Sequence, residues 1–515
     1  MSLSAKTYRW ACQDLLDGFD AVCLASDMRD CEVTGIVSDS RQISPGDMFV
    51  MIQGFMTHGM CYIREALARG AKAILCDFDD SSDGRHESFV DHEEIHIPIF
   101  RVRNLKKKVG MLANKFFSSP SSDLSVIGVT GTNGKSSCAF FIAQLFLSLK
   151  KRCGISGTLG VGEYPDMEET GYTTPDVISV HRNLAWFRDQ GIQDVVMEVS
   201  SHALDQGRVQ GVEFETAIFT NLSHDHQDYH ASLEDYFKSK SRLFLEYPAK
   251  NHIINIDDDF GRRLYDDLHE HALSFSCRGR ERSDGIVADL YARRINSCIN
   301  GDDFEFSFRG VTRTVKTNLI GYVSMSNTAA SLLAMIAEGY PFEDLVERVT
   351  CLQPPPGRLE QVNVDTGDNR PIVMIDFAHT PAALQAVLKD LRPICRGKLW
   401  CVFGCGGERD QDKRPIMGGI AEQYADRLVI TSDNPRGENP EDIIEDILKG
   451  ISDRESCHVI PDRIEAVRYA ISHAHEDDIV LLAGKGHETY QIVKEGERIP
   501  LNERKVAKEA LYEWR

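Results

Sequence analysis

The stretch at 124–137, which reads Leu-Ser-Val-Ile-Gly-Val-Thr-Gly-Thr-Asn-Gly-Lys-Ser-Ser, constrains the fold of this chain more than any other. An apolar run of strand type enters a glycine loop, and the apolar segment at 138–149 that follows has helical length. A strand, a glycine loop and a helix in this order direct backbone N–H groups and the positive end of the helix at one anion. The stretch therefore predicts a parallel α/β domain that binds the phosphates of ATP.

Individual residues of this loop suit a nucleotide. Glycines let the backbone turn tightly, Lys135 has the reach to contact the terminal phosphates, and the hydroxyl of Ser136 is a ligand for Mg²⁺. We predict Lys135 as a catalytic residue, and the nucleotide loop as Gly131, Thr132, Asn133, Gly134, Lys135, Ser136 and Ser137. The spacing departs from the general pattern G-x-x-x-x-G-K-[ST], because Val129 stands where the first glycine belongs. A plain turn is the alternative, and the flanking strand and helix disfavour it.

Charge and composition narrow the class of protein. The net charge of −21 argues against a nucleic-acid partner, which needs a basic face. No run of about eighteen apolar residues occurs, and residues 1–9 lack an apolar signal core, so we expect a cytoplasmic protein without membrane insertion. The 14 cysteines are scattered, which favours reduced thiols over disulfides or a zinc site.

Length and changes of pattern predict an α/β chain of three domains. Residues 1–118 alternate short strands with helices, and a serine-rich linker at 116–122 ends this small α/β domain. Residues 119–353 form the central phosphate-loop domain with a parallel sheet. After the stiff Pro-Pro-Pro-Gly-Arg at 354–358, strand and helix patterns alternate, which predicts a Rossmann-like parallel sheet over 354–515.

Two strands of the central domain end in residues that suit a metal. Glu198 ends one strand, and a histidine-rich loop that contains His226 follows the next, so we predict both as Mg²⁺ ligands. The alternative is that these histidines only form hydrogen bonds within a polar loop. A hydrolase is a rival from another class, because His224-x-His226-x-Asp228 is similar to the zinc ligands of metallo-hydrolases. Tyr229 breaks that zinc spacing.

Later parts of the central domain carry weaker signals. The helical segment at 234–244 includes Lys238, Lys240 and Arg242, which composition alone assigns to solvated helix charges. The acidic residues at 257–259 are predicted to end a strand. A helix is predicted to begin at Thr328.

Four strand ends of the C-terminal domain carry polar tips, most of them rich in glycine. They are Asp-Phe-Ala-His-Thr at 376–380, Gly-Cys-Gly-Gly-Glu-Arg at 404–409, Ser-Asp-Asn-Pro-Arg at 432–436 and Gly-Lys-Gly-His-Glu at 484–488. Because the carboxyl ends of parallel strands share one edge of a sheet, these tips predict a binding crevice.

The loop Thr-Gly-Thr-Asn-Gly-Lys-Ser at 130–136, together with these tips, resembles the Mur ligases and the related folylpolyglutamate synthetases. The resemblance extends over essentially the whole chain. It is nearest to the Mur ligases that add the third residue of the peptidoglycan stem peptide, in the type that adds diaminopimelate. Tyr172, Ser324 and Phe377 depart from residues common in the family, which puts single hydrogen bonds in doubt.

The resemblance implies a role for further residues. The UDP-substrate would be held by Ser40, Phe55, Met56, Thr57, Thr173, Thr174, Ser200, Gln206 and Arg208. ATP would be held by the loop and by Asn327, Arg358 and Asp376. Magnesium would be held by Ser136, Glu198, His226 and Lys240, with Lys240 carbamylated to N6-carboxylysine, and His226 and Lys240 would join Lys135 in catalysis. The incoming amino acid would be held by Arg414, Asp433, Asn434, Pro435, Arg436, Gly484 and Glu488.

The resemblance also implies an activity. The implied activity is that of an ATP-dependent ligase, which would add meso-diaminopimelate to UDP-N-acetylmuramoyl-L-alanyl-D-glutamate through an acyl phosphate in peptidoglycan precursor synthesis. We also expect a monomer. A folylpolyglutamate synthetase-like ligase is the alternative, disfavoured by the Asp-Asn-Pro-Arg tip at 433–436 and by the domain before residue 120. Arg436 suits the far carboxylate of diaminopimelate, which lysine lacks. An ion pair of Arg436 with Glu438 or Glu441 is the other interpretation of that arginine.

Overall fold

A computed structural model describes residues 8–23, 31–52, 62–78, 96–226, 229–247, 249–268, 271–279, 285, 287–365 and 370–514. The chain divides into two compact units. Unit 1 comprises Met1–Ile127, Arg152–Glu215 and Leu245–Ala249, and unit 2 comprises Gly128–Lys151, Thr216–Phe244 and Lys250–Arg515. Within the described ranges, no helix is both long enough and apolar enough to cross a membrane.

The N-terminal part of unit 1 is a small α/β domain. Its strands are β1 (Trp10–Ala11), β2 (Val22–Cys23), β3 (Glu32–Val33), β4 (Gly35–Val37), β5 (Asp47–Met51), β6 (Ala73–Phe78) and β7 (Ile99–Arg103). Its helices are α1 (Cys12–Leu16), α2 (Ile63–Ala68) and α3 (Leu105–Phe116). Strands β4 to β7 pair in parallel, and β2 pairs antiparallel with β7.

Strand β8 (Ser125–Thr130) and helix α4 (Lys135–Ser148) enclose the glycine loop in sequence. The rest of unit 1 contains β9 (Cys153–Gly157), β10 (Gly160–Glu163), β11 (Asp166–Glu168), α5 (Val177–Asp189), β12 (Asp194–Glu198) and α6 (Ser201–Asp205). Strand β9 pairs in parallel with β12 and antiparallel with β10. The polar residues after β12 therefore follow the carboxyl end of a buried strand.

The central part of the chain continues with β13 (Phe214–Phe219), α7 (Leu233–Leu245), β14 (Ala249–Asn255), α8 (Asp259–Leu268), β15 (Ala272–Ser276), β16 (Leu290–Asn296), β17 (Asp303–Phe308), β18 (Val311–Lys316), α9 (Gly321–Ala337) and α10 (Phe342–Arg348). Strands β14, β15 and β16 are parallel. Strands β16, β17 and β18 form an antiparallel meander, so the sheet of this part is mixed.

The C-terminal part of unit 2 contains β19 (Glu360–Gln361), β20 (Ile372–Asp376), α11 (Pro381–Leu391), β21 (Leu399–Phe403), α12 (Lys413–Tyr424), β22 (Arg427–Ile430), α13 (Pro440–Leu448), β23 (Cys457–Val459), α14 (Arg463–His473), β24 (Ile479–Ala483), β25 (Tyr490–Ile492), β26 (Arg498–Pro500) and α15 (Glu503–Glu513). The sheet order is β19-β20-β24-β21-β22-β23, with the last five strands parallel. Buried side chains alternate between two cores, one against α11 to α13 and one against α14 and α15. The predicted α/β fold with a C-terminal parallel sheet is confirmed.

Three local predictions differ from the structure. Helix α9 begins at Gly321 rather than at Thr328, because carboxylates from elsewhere in the chain accept hydrogen bonds from its first N–H groups: Gly321 N donates to Asp302 at 2.8 Å and Tyr322 N to Asp390 at 2.9 Å. Strand β14 ends at Asn255, and the predicted acidic strand end instead leads into α8. The predicted linker at 116–122 is folded, since α3 extends through Phe116 and a 3-10 turn follows over Pro120–Asp123.

A fourth difference concerns Lys240. Composition assigned its ammonium group to solvent, but the residue is 1% exposed on α7, between the buried Ser239 and Ser241. Lys238, on the same helix, is exposed as expected. The cysteines in the described ranges are free thiols, and several of them are buried.

Candidate functional site

The glycine loop takes a shape that only glycine permits at two positions. Gly131 has φ of 148°, and a Cβ atom there would lie 1.9 Å from Oγ1 of Thr220. Gly134 has φ of 90°, and a Cβ atom there would lie 2.3 Å from Oδ1 of Asn327. The loop is therefore pressed against two polar side chains at positions where only glycine fits.

Hydrogen bonds from the end of β13 hold the loop in this shape. Asn133 O accepts from Oγ1 of Thr220 at 2.6 Å and from Nδ2 of Asn221 at 3.1 Å, and Asn133 N donates to Oδ1 of Asn221 at 3.0 Å. Oγ1 of Thr132 accepts from the N–H of Ser223 at 3.0 Å. A loop fixed in this way needs little rearrangement to bind a phosphate chain.

Two lysine side chains meet at one carbonyl of the loop. Lys135 Nζ donates to Gly131 O at 2.8 Å and to Thr132 O at 3.0 Å. Lys240 Nζ donates to the same Gly131 O at 2.8 Å and lies 4.5 Å from the ring centroid of Tyr236. Burial, and then the charge of Lys135, lower the pKa of Lys240 well below its usual range, while Asp225 acts in the opposite direction.

A cavity of about 530 Å³ opens beside the loop within unit 2. Its lining includes these residues predicted for the nucleotide: Asn133, Gly134, Ser137, Asn327, Arg358 and Asp376. The Asp376 carboxylate accepts hydrogen bonds from Leu359 N at 2.7 Å and Ala378 N at 2.8 Å, and burial raises its pKa. The guanidinium of Arg358 lies 4.7 Å from the ring centroid of Phe377. The structure thus brings the loop and the C-terminal residues predicted for ATP to one cavity.

Sequence reasoning did not identify several other residues of this cavity. Asp257, Asp258, Arg278, Tyr322 and Lys389 also line it. Asp257 accepts from the hydroxyl of Tyr322 at 2.8 Å, although the two residues belong to different elements of the central part. The acidic run at 257–259 was the available signal, but only the fold shows that its carboxylates face a cavity.

Predicted UDP-substrate residues cluster within unit 1. Oγ1 of Thr174 donates to Glu198 O at 2.8 Å and accepts from Ser200 N at 3.1 Å. Arg208 donates to Thr174 O at 2.8 Å and to Oε1 of Gln206 at 2.7 Å. Thr173 contacts Oγ1 of Thr158 at 2.9 Å. Elsewhere in this unit, Oγ of Ser40 donates to Oε2 of Glu65 at 2.5 Å, whereas Phe55, Met56 and Thr57 lie outside the described residues.

The predicted magnesium ligands belong to both units, with Glu198 in unit 1 and Ser136, His226 and Lys240 in unit 2. Glu198 is 1% exposed, and its carboxylate accepts from Thr158 N at 2.9 Å and Thr158 Oγ1 at 3.2 Å. His226 has φ of 55°, and its Nε2 lies 3.5 Å from Oδ2 of Asp225.

The zinc interpretation has no support in the described ranges, where no three His, Cys, Asp or Glu side chains are grouped to hold a metal. Asp228, its third proposed ligand, lies outside those ranges.

The tips at 432–436 and 484–488 meet at the edge of the C-terminal sheet. Oδ1 of Asp433 accepts from Asn434 N at 2.6 Å, whereas its buried Oδ2 accepts no hydrogen bond from the described residues. Gly484 has φ of 110°, and a Cβ atom there would lie 2.7 Å from that Oδ2. Nδ2 of Asn434 donates to Oε2 of Glu488 at 3.0 Å. Four of the residues predicted for the amino acid are therefore brought together.

The two arginines that were predicted to bind the amino acid, Arg414 and Arg436, differ in their partners. Arg414 is 1% exposed and forms ion pairs with Glu438 at 2.8 Å and Asp446 at 2.9 Å. Arg436, which follows the buried Pro435, donates to Gly407 O at 2.9 Å. No carboxylate of the described chain lies within ion-pair distance of Arg436, so the alternative pairing with Glu438 or Glu441 is not formed. Burial and then the nearby Arg409 lower the pKa of Arg436, opposed by Asp433 and Glu488.

The buried ion pair of Arg463 and Glu503 supports the tips at 432–436 and 484–488, because Arg463 donates to the backbone at or next to the start of each. Arg463 donates to Oε1 of Glu503 at 2.7 Å and to the carbonyl oxygen of Ala483 at 2.7 Å, and both ionic side chains are at most 2% exposed.

We expect Glu503→Gln to lower the free energy of unfolding by about 3 kcal/mol, because it leaves the Arg463 charge buried without its partner. Urea unfolding measures the change. Glu509→Gln, in an exposed pair with Arg468, is the control and should change stability by less than about 1 kcal/mol; equal effects of both changes would contradict the argument.

Three family descriptions match this chain in sequence: the Mur ligase family catalytic domain over 32–117, the Mur ligase middle domain over 129–335, and the Mur ligase glutamate ligase domain over 357–486. A UDP-N-acetylmuramoyl-L-alanyl-D-glutamate–2,6-diaminopimelate ligase of Chromobacterium violaceum is 42% identical over 482 residues, which cover 93% of this chain and 94% of the relative.

Solved structures agree with these matches. The structure of a ligase with the same name has a TM-score of 0.67 and 31% identity, and the match covers 99% of each chain. The folylpolyglutamate synthase of Mycobacterium tuberculosis, solved with ADP and AMPPCP, has a TM-score of 0.57 and 17% identity over 72% of this chain and 91% of that one, which shows a shared fold alone. With relatives that match it over nearly its full length, the chain belongs to the Mur ligase family.

Proposed function

We propose that this chain is the ATP-dependent ligase that adds meso-diaminopimelate to UDP-N-acetylmuramoyl-L-alanyl-D-glutamate in peptidoglycan precursor synthesis. The observation that carries the choice of amino acid is the charge pattern of the C-terminal tips. Arg436 has no carboxylate partner among the described residues, while Asp433 Oδ2 and Glu488 Oε1 accept no hydrogen bond from them. A guanidinium beside two such carboxylates complements the carboxylate and ammonium groups of an amino acid.

The proposed reaction activates a carboxylate with ATP, and residues predicted to bind the nucleotide line the cavity. An oxygen of the substrate carboxylate attacks the γ-phosphorus of ATP, ADP leaves, and an acyl phosphate forms. The amine nitrogen then attacks the acyl carbon, the nitrogen loses one proton to solvent, phosphate leaves, and an amide bond remains. The N–H groups of the first turn of α4 and the ammonium of Lys135 would stabilise the charge that develops on the transferred phosphoryl group.

The donor set is chemically suited to Mg²⁺. The Ser136 hydroxyl and the Glu198 carboxylate are hard oxygen donors, which this ion prefers, and both residues are buried. When bound, the ion neutralises charge on the phosphates. The assignment of magnesium to Ser136, Glu198, His226 and a carbamylated Lys240 stays a prediction, as do the cytoplasmic location, the monomeric state and the domain boundaries near residues 118 and 353.

Carbamylation of Lys240 is supported by its surroundings. A bare ammonium there would be buried next to Lys135, with one carbonyl and one aromatic ring as its described partners. The lowered pKa of Lys240 favours the neutral amine, whose nitrogen adds to the carbon of CO₂ and releases one proton to give a carbamate. The modification replaces a cation by an anion with two oxygen donors, which suits a site for phosphates and Mg²⁺.

The proposed function is tested by release of phosphate from ATP. Purified protein should release phosphate with UDP-N-acetylmuramoyl-L-alanyl-D-glutamate and diaminopimelate together, and form the corresponding amide, detected by mass spectrometry. Omission of either substrate should abolish the reaction. Activity with a folate and glutamate instead would favour the folylpolyglutamate synthetase-like alternative.

Selectivity at Arg436 is a sharper prediction. We expect kcat/KM for meso-diaminopimelate to exceed that for lysine by at least about a hundredfold, because lysine leaves the half-buried guanidinium without a carboxylate. Arg436→Ala should lower kcat/KM for diaminopimelate by about that factor and change the value for lysine little. Arg468→Ala, at an exposed arginine of the same domain, is the control. Equal rates for both amino acids, or unchanged selectivity in Arg436→Ala, would place the discrimination elsewhere.

A further inference from the structure

Lys485 is a buried charged residue to which the proposed function has given no role. It lies in the tip at 484–488, between Gly484 and Gly486, whose φ values of 110° and 55° bend the backbone around it. The side chain is 0% exposed. A lysine buried to this degree requires partners for its charge, and those partners define what it does.

The partners of Lys485 are two residues of the proposed amino-acid site. Its Nζ donates to Oδ1 of Asn434 at 2.8 Å and to Oε2 of Glu488 at 2.6 Å. Nδ2 of Asn434 donates to the same Oε2 at 3.0 Å, so the three side chains close a ring of hydrogen bonds. The N–H of Ile492 also donates to Oδ1 of Asn434, at 2.8 Å. This ring joins the tip after β22 to the tip after β24.

The ring decides which atoms remain for a ligand. Oε2 of Glu488 accepts two hydrogen bonds, whereas Oε1 accepts none from the described residues, and the side chain is 18% exposed. The amide of Asn434 is fixed in one orientation, because its oxygen faces the ammonium of Lys485 and its nitrogen faces the carboxylate. One carboxylate oxygen is therefore held away from the ring.

We propose that Lys485 is a positioning residue for the incoming amino acid, which holds Glu488 and Asn434 so that Oε1 of Glu488 receives an ammonium group of the substrate. The inference rests on the proposed function, since it deepens the amino-acid site of that reaction. Lys485 itself does not touch the substrate. Its removal should weaken binding of the amine and leave the glycine loop, which lies in the central part of the chain, unchanged.

The test is Lys485→Met, which keeps the unbranched side chain up to the position of Cε and removes the ammonium group. We expect KM for diaminopimelate to rise about ten- to a hundredfold, the range for loss of a hydrogen bond to a charged group. KM for ATP and for the UDP-substrate should stay within about twofold of the wild-type values. Lys505→Met removes a lysine from an exposed pair with Glu509 in the same domain, and as the control it should change none of the three.

A double-mutant comparison separates positioning from a general structural role. Glu488 is the carboxylate through which Lys485 is proposed to act, and Nζ of Lys485 lies 2.6 Å from its Oε2. In a Glu488→Gln background, Lys485→Met should therefore raise KM for diaminopimelate by no more than about twofold. A defect of structure alone would raise that KM by the same factor as in the wild-type background.

If Lys485→Met does not fold, the double variant Lys485→Met/Glu488→Gln carries the test, because it removes both charges of the pair. It should fold, and its KM for diaminopimelate should lie within about twofold of the value for Glu488→Gln alone, because both changes act through one carboxylate. An unchanged KM for the amine in a folded variant, or an equal rise of all three KM values, overturns the positioning role while wild-type activity leaves the proposed function intact. A wild-type protein that forms no amide from diaminopimelate overturns the proposed function, and this inference with it.

Discussion

Lys135→Ala should lower kcat for ATP-dependent amide formation by about a thousandfold or more, with little loss of stability. In the structure the ammonium of Lys135 donates to two carbonyls of its own loop, Gly131 O and Thr132 O. In the proposed reaction that ammonium would contact the terminal phosphates of ATP, where charge develops during transfer. Its effect is therefore larger in the transition state than in the ground state.

Separate measurements of binding, turnover and folding make this prediction specific. The dissociation constant for ATP should change by less than about tenfold while kcat falls, which is the result expected for a group that acts on developing charge. The free energy of unfolding should fall by no more than about 2 kcal/mol, since the change removes two hydrogen bonds from the ammonium to loop carbonyls. Lys316→Ala, at an exposed lysine of β18, is the control. Near-normal turnover by folded Lys135→Ala protein would contradict the assignment of the glycine loop to the phosphates of ATP.

The glycine loop could be predicted because its signals are local. Glycines at 131 and 134, a lysine and a serine in sequence determine the path of the backbone and the chemistry it presents. The structure adds the reason for the glycines, since Cβ atoms there would overlap side chains of Thr220 and Asn327. Those two residues come from distant parts of the chain, so the sequence indicated the turn without indicating what lies against it.

The C-terminal tips could be predicted for a different reason. In a parallel sheet all carboxyl ends lie at one edge, so polar tips on several strands must be neighbours. Asn434 and Glu488 are 54 positions apart and share a hydrogen bond at this edge. The individual partners could not be predicted. Arg414 is engaged by Glu438 and Asp446, and that pairing depends on the packing of α12 against α13.

Tertiary contacts overrode local signals at α9 and at Lys240. The residues at 321–326 include two serines and a valine, which are weak helix formers, yet α9 begins there because Asp302 and Asp390 accept hydrogen bonds from its first N–H groups. Lys240 reads as a surface charge on an amphipathic helix, but its side chain is directed at the loop carbonyl of Gly131. Both are cases in which a partner distant in sequence decides the environment of a residue.

Replacement of the buried Lys240 is the second change for which we expect a large loss of activity. Lys240→Ala should lower kcat/KM by about a thousandfold or more, because it removes the proposed carbamate and with it an anionic oxygen donor near the loop. Lys240→Met, which keeps the volume of the side chain, should be equally inactive and separates loss of chemistry from loss of packing. Lys238→Ala is the matched control, since Lys238 lies on the same helix and is exposed.

Chemical rescue and direct detection distinguish a carbamate from a lysine that only fills space. A small carboxylate such as acetate should restore part of the activity of Lys240→Ala, because it fits the space left by the side chain and supplies the same oxygen donors, and it should do nothing for Lys240→Met, where that space is filled. Mass spectrometry without acid should find the mass of one CO₂ on α7, and acid should remove it. An unmodified Lys240 in fully active protein would show that the buried amine itself, rather than a carboxylate made from it, serves the site.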